Sequence, residues 1–92
     1  MKEKDQVIAI KNYFLKSWPE LADRLFVDST TIDVDFVENC GHLSSTQELL
    51  VKLSYSMWND LGQVNLWEVF RTLEDKDLKN VIEGLEYLRK KA

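Results

Sequence analysis

Apolar positions recur at helical spacing along most of the chain, and the spacing breaks in one place. From Glu3 to about Trp18, Val7, Ile10, Phe14 and Trp18 share one side, widened by Ile8 and Tyr13, while Lys2, Lys4, Lys11 and Lys16 lie mostly opposite. Pro19 then interrupts, and proline suits the first position of a helix. The pattern predicts a helix, a bend at Trp18-Pro19, and a short second helix with Leu21, Leu25 and Phe26 as its contacts. Between Thr31 and Phe36 the period drops to two. Ile32, Val34 and Phe36 alternate with Thr31, Asp33 and Asp35, as in a strand with one wet face. With Asp28-Ser29-Thr30 as a turn, Phe26-Val27 and Ile32-Phe36 read as a small hairpin. A two-stranded ribbon is marginal alone, so it calls for helices, a third strand or a second chain.

Helical spacing returns after Cys40-Gly41. Ser44/Gln47 and Ser45/Glu48 both fit the capping box, in which a hydroxyl and a long polar side chain satisfy each other's free amides. Leu50, Leu53, Met57 and Leu61 follow as one stripe, flanked by Leu49, Val51, Tyr55 and Trp58, which predicts a central core helix over 45–61 with Gly62 as its C-terminal cap. Asn65/Glu68 repeats the capping-box spacing, and Val64 with Val69 adds a hydrophobic staple. Leu66, Val69, Phe70 and Leu73 then form the expected buried face of a short helix. The last helix puts Leu78, Val81, Ile82, Leu85 and Leu88 on its expected buried side, with Asp75 and Asp77 in its first turn and Arg89, Lys90 and Lys91 in its last, as the helix dipole favours. The fold expected is mainly α: one small domain over residues 1–92, of four to five helices with a short strand or β-hairpin near residues 26–37.

Composition narrows the function classes. The 92 residues are enough to fold alone but too few for two domains or a large substrate cavity. Twelve basic residues against sixteen acidic ones give a formal charge of −4, which disfavours nucleic acid as a direct partner. The charged opening MKEKDQVIAI lacks the apolar run of a secretory signal, and no stretch approaches the ~18 apolar residues of a membrane span. A single cysteine, Cys40, cannot form an internal disulfide. The cytoplasm is the compartment these features suggest.

Candidate chemistry is sparse. Cys40 and His42, one glycine apart, could form a thiolate–imidazole pair, but no oxyanion-hole pattern accompanies them. Asp33, Asp35, Glu38, Asn39 and His42 resemble a cation loop, yet counted from Asp33 the EF-hand glycine and glutamate positions hold Glu38 and Ser44. Gly41, Gly62 and Gly84 are isolated and build no phosphate loop. The expectation is a protein without catalysis, metal or cofactor.

Two surface features remain as candidate partner-binding elements. Residues 20–51 carry Glu20, Asp23, Asp28, Asp33, Asp35, Glu38 and Glu48 against Arg24 alone. On a strand, Asp33 and Asp35 would stand on one face about 6.6 Å apart, a row able to imitate a phosphate backbone or to protect a strand edge. Trp67 leaves the Leu66/Val69/Phe70/Leu73 face and shares a side with Arg71 and Glu74, the composition of an interface hot spot. Asp28, Asp33, Asp35, Glu38, Trp67 and Arg71 are therefore the expected contact residues.

The stretch Leu43–Arg89 resembles a group of small uncharacterised proteins of Gram-positive bacteria and their phages. The shared features are a Ser-Ser start, a helix ending Leu53-x-x-x-Met57-Trp58-Asn59, then Val64-Asn65-Leu66, Phe70 and Leu73-Glu74-Asp75, with Glu74 where the group has Asp. The resemblance covers about half the chain, consists of core and cap residues, and implies a phage or mobile-element setting without an activity. The expected function is a small acidic cytosolic protein-binding module, of the kind a phage uses as a modulator or anti-defence inhibitor, docking on a basic surface of a host protein such as a nucleic-acid-binding enzyme. The alternative is a self-assembling adaptor, a homodimer through strand 31–37.

Overall fold

The structure, a computed structural model, describes residues 3–59 and 64–91. Six α-helices are seen among them: α1 (Glu3–Ala9), α2 (Pro19–Leu25), α3 (Val34–Glu38), α4 (Ser45–Asn59), α5 (Leu66–Thr72) and α6 (Asp75–Lys91). The predominantly helical expectation holds, and the chain packs to a radius of gyration of 12.0 Å.

α1 does not run unbroken to Trp18. It continues as a π-helical turn over Ile10–Phe14, closed by the Leu15 amide donating to the Ile10 carbonyl at 3.0 Å. The wider turn inserts one residue into the 3.6-residue register. Ile10, Phe14 and the adjacent Leu15 are all fully buried as a result. This turn is the hub of the molecule, with α6, α4 and α2 packed on it. Gly84 marks its contact with α6. A Cβ there would lie 2.5 Å from the Phe14 ring and 2.9 Å from Tyr13 Cβ, so only glycine permits the approach.

Pro19 opens α2 as the sequence implies. The bend before it is tied to α6. Trp18 Nε1 donates to the buried Asp77 carboxylate at 3.0 Å, and Asn80 Nδ2 donates to Ser17 Oγ at 3.1 Å. The inward side of α6 thus carries Asp77, Asn80, Val81, Gly84 and Leu88, while Ile82 and Leu85 face water. The expected apolar face is turned by roughly a quarter of the helix.

The region expected to be a strand or hairpin is different. Among the described residues, the pairing reduces to one antiparallel bridge between Phe26 and Ile32, with Val27 N donating to Thr31 O at 2.9 Å and Asp33 N to Leu25 O at 2.7 Å. Residues 34–38 are helical, because the Asp33 carboxylate accepts from Phe36 N at 3.2 Å and caps α3. A three-fold alternation supplies no ladder partner beyond Phe26, whereas an aspartate cap satisfies the same amides locally. Strand 31–37, and a homodimer built through it, therefore has no strand to rest on.

Of the two capping boxes possible at α4, Ser44/Gln47 is the one formed, with Gln47 N donating to Ser44 Oγ and Ser44 N to Gln47 Oε1, both at 3.2 Å. Glu48 pairs instead with Lys52 at 2.8 Å. Leu61 and Gly62, the expected end and cap of this helix, lie outside the described residues.

Candidate functional site

α5 departs most from its expected burial. Asn65 Oδ1 accepts from Glu68 N at 3.1 Å and starts the helix, and Val69 and Leu73 point into the core. Leu66, Trp67 and Phe70 do not; they remain 70%, 68% and 48% exposed. Their positions explain the division. The apolar arc of this two-turn helix spans nearly half its circumference, and α4, its main neighbour, covers only the edge holding Val69 and Leu73. Arg71 lies one turn beyond Trp67 and is exposed, lining with Lys52 and Glu68 a groove between α4 and α5. Trp67 and Arg71 are thus together, as the sequence suggests. Leu66 and Phe70, whose helical spacing predicts burial, are exposed beside them.

The acidic residues do not form a row. Asp33 is half-buried and occupied as the α3 cap. Asp35 and Glu38 are exposed on α3 beside Val34. Asp28 is exposed but structurally engaged, its Oδ1 accepting from Thr30 N and Thr31 N, each at 2.8 Å. Those two amides hold the Asp28 carboxyl below the usual carboxylate range. The loop it organises is anchored twice more. Lys11 Nζ donates to Ser29 O at 2.8 Å and Trp58 Nε1 donates to Thr30 O at 3.0 Å. These long-range ties fix the loop and carry no local sequence signal. Exposed Val27 stands next to Asp28 on the same loop.

Cys40 and His42 are not arranged for nucleophilic chemistry. The Cys40 thiol is buried, and burial followed by the Glu48 charge pushes its pKa up, away from thiolate. His42 Nδ1 lies 3.0 Å from Asn39 O, a carbonyl that can only accept, so this nitrogen carries the proton. Its Nε2 then accepts from Arg24 Nη2 at 3.4 Å. Both ring nitrogens are thus engaged by groups other than the thiol. Arg24 also lies over the Phe36 ring at 5.0 Å, joining α2 to α3.

Among the described residues, no group of three or more His, Cys, Asp or Glu side chains could hold a metal ion, and no helix is long and apolar enough to cross a membrane. What the surface offers is an apolar, Trp-centred helix, an anchored loop holding Asp28, and the exposed carboxylates of Asp35 and Glu38 on α3. In comparison with known proteins, the chain matches no family model, no curated protein and no solved structure.

Proposed function

We infer that the protein is a small docking module without catalysis, and that α5 is its anchor for another protein. The observation that carries this reading is the exposure of Leu66, Trp67 and Phe70 on one short helix. Burying a side chain of this size stabilises by about 1.5–3 kcal/mol, so leaving three in water forgoes a large part of a small domain's stability. Tryptophan and arginine are also two of the residue types most enriched where binding energy concentrates. The partner is one that offers an apolar cleft to Trp67 and a basic surface to the carboxylates of Asp28, Asp35 and Glu38. These carboxylates contribute chiefly to encounter, since exposed charges act on association rate more than on affinity. Modulation of a host nucleic-acid enzyme in a phage setting is the specific form of this proposal.

Quantitative affinity capture from a Gram-positive lysate, after nuclease digestion, tests it. Bait carrying Trp67→Ala should lose a protein that the unaltered chain retains, and bait carrying Asp35→Lys with Glu38→Lys should retain less of the same protein. Equal recovery with all three baits contradicts the reading.

A further inference from the structure

We propose that a second copy of this chain docks antiparallel along the outer face of α6, independently of α5. Asp75, Leu78, Ile82, Leu85 and Arg89 recur at alternating steps of three and four residues, the spacing of a coiled-coil seam. Its centre faces outward, with Ile82 42% and Leu85 45% exposed, while Leu78 is half-buried against the core. Its flanking charges are complementary about the helix centre. Across a two-fold axis at Ile82-Glu83, Lys79 stands opposite Glu86 of the second copy. Symmetry makes the contact twice, so one register yields two opposite-charge pairs beside a shared apolar centre. The same register sets Asp75 level with Lys90 and Lys76 level with Arg89, one pair of opposite and one of like charge in equivalent positions, so those two offset each other.

Lys79 and Glu86 are free to engage. Both are exposed, and the one ion pair among the described residues is Lys52–Glu48, on α4. The acidic start of one α6 also meets the basic end of the other, so the helix dipoles oppose favourably. The contact strip is about 25 Å long and one helix face wide, under half of the roughly 800 Å² per partner in a stable complex. The association is therefore weak and reversible, and populated only at high protein concentration.

Sedimentation velocity of the full chain over rising concentration reads this directly. The unaltered protein should show a concentration-dependent monomer–dimer equilibrium. Lys79→Glu and Glu86→Lys each place like charges opposite one another, twice per dimer, and each should weaken self-association by about tenfold or more. An equimolar mixture of the two variants should recover it, because position 79 of each chain then opposes position 86 of the other with opposite charge on both sides. The substitutions are on the surface, so folding is not at stake. A chain that stays monomeric at every concentration overturns the proposal, as does a mixture no tighter than its separate components. Loss of the dimer on Trp67→Ala, with Lys79→Glu without effect, would assign the contact to α5 and overturn it equally.

Discussion

Ser54 is fully buried in α4, and its hydroxyl has no hydrogen-bond partner. A desolvated and unsatisfied hydroxyl costs about 1–3 kcal/mol, and serine is a poorer helix former than alanine. Ser54→Ala should therefore raise stability by about 1 kcal/mol, seen as a higher denaturant midpoint at unchanged slope. A lower midpoint would show that the hydroxyl has a stabilising contact. Asp28 yields a pH prediction at the same scale. Its carboxyl is held below the ordinary range in the folded loop, so its contribution is present above the unfolded carboxylate value and is lost as pH falls through the lower folded value. Carboxyl NMR should show Asp28 titrating at lower pH than a free aspartate, and Thr30→Pro, which removes one of its donor amides, should move that midpoint upward.

Gly84 packs closely on Phe14, and Trp18 is hydrogen-bonded to the buried Asp77 of the same helix. Alanine at 84 gains about 1 kcal/mol in helix propensity. It also drives a Cβ into a fully buried ring, and overpacking of that kind costs about 1–3 kcal/mol. Given the 2.5 Å approach, Gly84→Ala should lose stability in chemical denaturation; an unchanged or higher midpoint would show that the π turn can move aside. Trp18→Phe keeps the packing but takes the N–H from the buried Asp77 carboxylate, a loss of about 2 kcal/mol. Asp77→Asn, which retains an oxygen for that N–H, should cost less.

These two junctions also show what the sequence could and could not disclose. Starts and stops were legible because they are local: Pro19 opens α2, Ser44 with Gln47 opens α4, and Asn65 caps α5. Faces were legible only where a helix is covered on its apolar side. In α6 the inward residues include Gly84 and Asp77, chosen by the close approach of the π turn and by the Trp18 N–H; both partners are distant in sequence. The alternation at 31–36 suggested a strand because period two is ambiguous over six residues, and the Asp33 cap decided the outcome. Trp67 and Arg71 were picked out from composition and spacing. Leu66 and Phe70 were not, because apolar periodicity cannot tell a covered arc from an uncovered one.

At the scale of the whole molecule, the helices enclose one core on the π turn and leave apolar side chains outside on α5 and on α6. The exposed α5 side chains give the central claim a clean separation between stability and binding. Trp67 is 68% exposed, so Trp67→Ala should change stability by less than about 0.5 kcal/mol. As the anchor of a docking surface, it should nonetheless be worth about 2 kcal/mol or more in affinity. The deciding measurement is titration calorimetry of the captured partner against the unaltered chain and against Trp67→Ala. With α5 as the anchor, Trp67→Ala should lose about thirtyfold in affinity with the thermal midpoint of the free protein preserved. Equal affinity for the two chains would contradict α5 as the anchor.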